Sequence, residues 1–431
     1  MATNIVGATG IDKVQDGIIV NADIDTVAAS KLTGALPAIS GASLTNIPAA
    51  NITGTLPALA ATNLTSIPAA NITGTLPAIS GASLTNVNAV NGGRKNMVIN
   101  GAMNVAQRGT SSTSNGYATV DRFFTYKENT DQITLTQFQH DNAPPGFGRS
   151  WKVDVGTSEN AVEANDLIEA VTRLEGQDLQ HLKWGTSSAQ SVTLSFWIMS
   201  SNTGTYVVNL YNRVNSRNIT ATYTISVANV WEHKTLTFPG DTVAGFTWDN
   251  NRALDIVWKL MAGSNFTGTA STTWGTNSDA RTANGISNNN WGTGSDDTWY
   301  LSGVQLEVGS VATDFEHRSY GEELSLCERY YQEFVCSAQE WIYVEGTQTT
   351  HKWWQISYRG MRAAPTFTAS SEMIGVSSGN VGGGNVVSLS ATATLGRASV
   401  RVTMSNTSGT VHGIHHIDAW SGDSCFLDAE I

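Results

Sequence analysis

Flat aromatic side chains next to groups that fix hydroxyls are what a saccharide surface requires, because a pyranose ring offers an apolar C–H face and a rim of hydroxyls. Residues 337–431 hold such a set: Trp341, Tyr343, Trp353, Trp354, Tyr358 and Trp420, with Arg359 and Asp418 as the polar partners. Strand alternation puts Trp353 and Gln355 on one face and Trp354 on the other, so at least one of the tandem tryptophans belongs to a core. His412, His415 and His416 could meet a metal, but a strand separates His415 from the other two and no carboxylate at a recognised spacing completes a ligand set, so no metal is assigned. Asp296, Asp297, Glu163 and Asp166 are isolated acids. Nothing places two carboxylates across a cleft as glycoside cleavage demands, and no GxSxG, HExxH or P-loop pattern occurs. The expectation is a binding protein, without catalytic residues or cofactor.

The elements that must position these residues are strands. The chain has 431 residues, 41 glycines and only 14% charged residues, a composition that favours an all-β fold. A net charge of −12 without Lys/Arg runs argues against nucleic acid or an anionic membrane as partner. The start lacks a basic stretch followed by an apolar one, and no run of eighteen apolar residues occurs, so neither export by a leader nor membrane insertion is expected. Cys327, Cys336 and Cys425 cannot all pair within one chain and read as reduced thiols of a protein assembled in a cytoplasm.

Residues 31–90 say nearly the same thing three times with a period of twenty: KLTGALPAISGASLTNIPAA, NITGTLPALAATNLTSIPAA and NITGTLPAISGASLTNVNAV. Prolines such as Pro37, Pro57 and Pro77 exclude helices, and each unit has too few large apolar groups for a core of its own. Such units need identical neighbours, with Leu36, Leu56 and Leu76 directed at a common axis as a thin shaft. Residues 1–30 are chemically distinct and read as an attachment segment. From residue 94 to 318, alternating segments follow at short spacing: Asp121–Lys127, Gln132–Gln139, Ser150–Val155, Ser191–Met199, Thr205–Tyr211, Thr222–Val227, Trp231–Phe238, Ala253–Met261 and Thr298–Val308. They predict a jelly-roll-like β-sandwich, whereas Glu163–Leu182 carries a helical stripe of Leu167, Val171, Leu174 and Leu179. Residues 337–431 predict a second β-sandwich.

Three runs, LEGQDLQHLKWG (174–185), VTLSFWIMSSNTGTY (192–206) and GVQLEVGSVATDFEHRSYGEELSLCERYYQ (303–332), resemble a domain of tail fibres of tailed bacteriophages, over about Lys95–Gln332. The resemblance implies a homotrimeric virion fibre, anchored to a tail or baseplate protein and facing a host cell-surface receptor, expected to be a glycan. Where such fibres often have Pro after Ala-Thr, this chain has Asp314. Tyr320, Leu324, Cys327, Tyr331 and Phe334 follow at spacings of four, three, four and three, the seam of a coiled coil, which predicts a short helical trimer collar over 319–334. The expected architecture is therefore mainly β: an elongated fibre with attachment segment, repeat shaft, sandwich, collar and a C-terminal tip that adheres to the host. A polysaccharide-degrading tailspike is the alternative.

Overall fold

Alternation of apolar and polar residues builds two antiparallel sheets that share one core. The computed structural model describes residues 94–335 (save 131, 160, 269–270 and 287–290), 341–342, 351–357, 359–363, 365–369, 375–378, 381–394, 397–404, 415–418 and 424–430. In the strands from residue 334 to residue 426 it is the backbone that is described. The strands of the sandwich are β1 (Ser111–Ser112), β2 (Phe123–Glu128), β3 (Thr134–His140), β4 (Ser150–Thr157), β5 (Leu167–Glu175), β6 (Val192–Ser200), β7 (Gly204–Asn212), β8 (Arg217–Ile225), β9 (Glu232–Phe238), β10 (Arg252–Ala262), β11 (Gly275–Thr276) and β12 (Thr298–Val308). One sheet runs β1-β3-β4-β12-β6-β9 and the other β11-β8-β7-β10-β5-β2.

Between them lie Trp151, Trp258, Trp299, Phe123, Phe196 and Tyr206, all buried. Trp151 and Trp299 meet edge to face at 6.0 Å, as do Phe196 and Trp258 at 5.8 Å, the geometry that the ring quadrupole favours. The predicted alternation of β10 holds: Leu254, Ile256, Trp258 and Leu260 are all sealed in the core. The helical stripe over Glu163–Leu182 is corrected. Residues 167–175 form β5, and only Gly176–Leu182 turns, as a 3-10 helix. Strand β5 pairs with β10 on one side and β2 on the other, and its outer face mixes apolar Leu167 and Val171 with Glu169 and Arg173, so its period-two signal is weak.

The continuous helical collar is corrected too. A helix, α1, spans Tyr320–Cys327, capped by the Ser319 hydroxyl, which accepts the Glu322 N–H at 3.3 Å. The chain then turns, and Tyr331–Val335 is a strand, β13, so the expected seam ends halfway. Cys327 and Tyr330 are buried against Ile99 and Val105, with Leu324 packed beside them, whereas Tyr320 is 59% exposed. An apolar stripe of this length finds its partner in the chain's own segment 94–105.

The remaining strands are β14 (Trp341–Ile342), β15 (His351–Ser357), β16 (Thr366–Ala369), β17 (Gly375–Ser378), β18 (Val381–Thr394), β19 (Arg397–Met404), β20 (His415–Asp418) and β21 (Ser424–Asp428). Strand β21 lies between β13 and β16 in a three-stranded sheet, and the others pair in the order β14-β20-β17-β18-β19-β15. The last described residues thus return to the sandwich. Ala429 donates its N–H to the Tyr330 carbonyl at 2.8 Å. Glu430 pairs with Arg122, which is 1% exposed, and with Arg108 at 3.3 Å; the two guanidinium groups lie over the rings of Tyr330 and Tyr331.

Removing one member of a buried ion pair strands the other. Glu430→Ala should therefore destabilise the sandwich by about 3–5 kcal/mol, read from denaturant unfolding followed by near-UV circular dichroism. An unchanged midpoint would contradict this clamp. Nearby, burial pushes the Asp121 carboxyl up to about 6, against Arg108 and the Gln107 N–H groups that favour its charge. The folded state then holds that proton more tightly than the unfolded chain does, so this contribution is complete below about pH 4 and is lost as pH rises through about 6. The melting temperature of the native protein should fall over that window relative to Asp121→Asn; parallel curves would refute the assignment.

Candidate functional site

The outer face of the second sheet is grooved. Since Leu254, Ile256, Trp258 and Leu260 point inward, Asp255, Val257 and Lys259 of β10 must point out. Strand register sets their neighbours. Val257 lies opposite Val171 and Asn209, and Phe124 opposite Val171, giving an apolar floor. On one side runs the row Tyr126, Glu169, Lys259, and on the other Arg173, Asp255, Tyr211. Asn277, Asp279 and Thr282, together with Phe266, close a groove of about 370 Å³.

The charges in it are matched internally. Lys259, 2% exposed, pairs with Glu169 and lies 6.0 Å from the Phe266 ring centroid. Asp255 accepts from both Arg252 nitrogens, Nε at 2.6 Å, with Arg173 4.0 Å away. Burial opposes the Arg252 charge, but the Asp255 carboxylate overcomes it and raises the pKa. Arg173 is lowered, chiefly by burial and next by the neighbouring guanidinium, and its plane lies 4.3 Å from the Phe124 ring centroid. Tyr126 and Tyr211 flank the groove at diagonal corners on β2 and β7, three strand spacings across the sheet and four residues along it, roughly 19 Å apart. Tyr126 is 43% exposed and donates its hydroxyl to Glu128 at 3.1 Å; burial and that carboxylate raise its pKa. Tyr211, half-buried, accepts from Arg213 at 3.4 Å. Two phenol rings beside fixed donors and acceptors can stack on sugar rings and hold hydroxyls. The carboxylates Glu169 and Asp255 are committed to cations.

No family model matches the chain, and no curated sequence does. Among solved structures, it is similar to the enzymatically active domain of tailspike protein 4 of bacteriophage CBA120, at 12% identity and a TM-score of 0.27 over 49% of this chain and 21% of that one. It is also similar to a putative sugar binding protein from Bacteroides thetaiotaomicron, at 12% identity and a TM-score of 0.28 over 50% of this chain and all of that one. A family 11 carbohydrate-binding module from Clostridium thermocellum, in complex with a mixed-linked tetrasaccharide, matches at 12% identity and 0.24 over 47% of this chain and 98% of that one. The chain spans about a fifth of the tailspike chain. Overlaps this loose carry no argument about function.

The residues expected from sequence lie elsewhere. Trp341 is in β14, in register with His416 of β20, and His415 is opposite Ile342. Trp353 and Trp354 are in β15, opposite Arg401 and Val400 of β19, and Asp418 ends β20 opposite Gly375. The side chains of these residues, and Tyr343, Tyr358, His412 and Trp420 altogether, lie outside the described residues, as do Leu36, Leu56 and Leu76. Arg359 is exposed and turns to helix α1, donating to Ser325 at 2.8 Å and pairing with Glu328 at 3.1 Å. Of the collar residues, Leu324, Cys327 and Tyr331 face their own chain, and Phe334 stands in β13 opposite Cys425. The groove residues are not among those expected from sequence; the signal for them is the alternation of β10, which sets Asp255 and Lys259 opposite its core face.

The groove's rigidity depends on its ion pairs. Glu169→Ala should cost about 3–5 kcal/mol by leaving the Lys259 ammonium buried and alone, while the double variant Glu169→Leu, Lys259→Met should regain most of it. Denaturant titration of the three proteins checks this; equal losses in single and double variants would contradict it.

Proposed function

We propose that this chain is a homotrimeric tail fibre protein of a tailed bacteriophage that adheres to a host-surface glycan, and that the groove on the second sheet takes the saccharide. The observation that carries the reading is the pair Tyr126 and Tyr211 flanking an apolar floor between two charged rows, each holding its own ion pair. Such a site has no net charge to offer a polyanion and suits a neutral sugar chain. The phage-fibre motifs between residues 174 and 332 and the mainly β build support the wider setting. In that setting residues 1–30 grip a tail or baseplate protein, residues 31–90 form the shaft, and the C-terminal module adds a further contact.

The mechanism is adhesion rather than cleavage. Two of the acids that line the groove, Glu169 and Asp255, are each held by a cation and so serve its structure. Weak single sites gain strength from repetition, because linked sites raise one another's effective concentration.

Light scattering of the full chain at micromolar concentration should give the mass of three chains; a monomer would overturn the fibre reading. Tyr126→Ala and Tyr211→Ala should each weaken binding to purified host-surface polysaccharide by about tenfold, while Tyr126→Ala leaves stability within about 0.5 kcal/mol. Unchanged binding would remove the groove from consideration, and new reducing ends in the polysaccharide would show a degrading tailspike instead.

A further inference from the structure

The outer face of the first sheet carries a second hollow of different chemistry. Strand β12 passes a bulge between Ser302 and Gln305, where Gly303 takes φ +60°, a region that favours glycine. A Cβ there would stand 2.7 Å from the Phe147 ring and 3.0 Å from that of Trp197. The missing side chain lets the rings of Phe147 and Trp197 seat against the backbone there.

Phe147, Phe315 and His317 form a triangle with centroids 4.9, 5.2 and 4.9 Å apart, and Trp197 meets His233 at 5.2 Å. With Asp314 and Ser195 they enclose about 340 Å³. Phe147, Trp197 and Phe315 are half-buried, and His233, His317 and Asp314 are exposed at the rim. These rings are held in place. The Glu307 carboxylate accepts the Thr313 N–H at 2.8 Å and its hydroxyl at 2.7 Å, Gln305 accepts the Glu316 N–H at 2.8 Å, and Arg318 pairs with Glu316 at 2.8 Å. Burial lowers the His233 pKa, which keeps that imidazole neutral at pH 7 and able both to donate and to accept.

We infer that this cradle is a second saccharide site, which takes a single neutral pyranose ring on the sheet opposite the groove. Concavity argues for a small ligand over a second copy of the chain: the rings, with Phe147 and Trp197 seated over Gly303, line a hollow of about 340 Å³, where an interface between copies would require a broad apolar face. The imidazoles and the Asp314 carboxylate stand where ring hydroxyls would emerge. Fixed rings cost little ordering on binding, which is what a weak single-sugar site requires. This site stands whether or not the groove binds.

Saturation-transfer NMR on the full chain tests it, with millimolar methyl glycosides of glucose, galactose and N-acetylglucosamine as probes. The background is Tyr126→Ala, Tyr211→Ala, so that failure of the groove and failure of the cradle are distinguishable. At least one probe should receive saturation in that background, and adding Phe315→Ala or His233→Ala should reduce the transfer about fivefold or more, the size of one lost aromatic contact. His233 is exposed, so its variant keeps the test valid if Phe315→Ala fails to fold. No transfer to any probe, or transfer unchanged by both additions, would overturn the inference. So would a fall in oligomer mass caused by Phe315→Ala, which would make the cradle an interface between copies.

Discussion

Buried charge that must find its partner is the constraint on which the rest of this molecule depends. Glu175 is fully buried and is held by both arms of Arg329, at 2.8 and 3.1 Å, with Arg362 at 3.8 Å. Glu430 is held by Arg108 and Arg122. These pairs join a sandwich strand, the turn after α1 and the last described residues at one seam. Hydrophobic burial would assemble the two sheets without them. What the ions add is uniqueness of placement, since any other docking of β13 and β21 would leave carboxylates or guanidinium groups dry and unpaired.

The two outer faces of the sandwich follow different rules. On the second sheet the charged rows sit over a covered floor, where Glu169 pairs with Lys259 of the neighbouring strand and Asp255 with Arg252 of its own, so the groove is stiff. On the first sheet the bulge at Gly303 breaks the ladder, and loop rings fill part of the space it opens. One face is thus organised by ion pairs and the other by aromatic contacts, although both belong to one core.

The motifs that resemble phage fibres turn out to do structural work. In 303–332, Glu307 and Gln305 fix the loop after β12, while Glu316 accepts the N–H groups of Lys95 and Asn96 at 3.0 and 2.8 Å. Glu323 accepts the Asn100 N–H, and Arg318 donates to the Val98 carbonyl at 3.2 Å. Residues 94–105 form no strand, so their backbone groups are met partly by these side chains and partly by the backbone of β12, as where Met97 donates to the Leu306 carbonyl at 3.0 Å. Recognisable sequence marks the stitching; the groove uses residues outside those runs, whereas the cradle takes Trp197, Asp314, Phe315 and His317 from inside them.

Sequence by itself determined the class of fold. Eight of the sandwich strands stand close to where alternation put them, because residue types alternate along them even where both faces are covered, as Asp255 and Lys259 do between the core residues of β10. Strand β8 stands a few residues earlier than expected, and β5 carries no clean period since its outer face mixes apolar and charged residues. The heptad-like spacing of Tyr320 to Phe334 was real but local. Apolar spacing alone cannot tell a helix that seeks a partner chain from one that folds onto its own, and segment 94–105 supplied the partner. The sites were decided by tertiary structure alone. Tyr126 and Tyr211 are far apart in the chain and face one groove only because β5 and β10 lie between their strands, and Phe147 reaches Phe315 only because Gly303 leaves room. Pairing across strands sets such neighbours, and no local pattern in a chain records which strand will lie beside which.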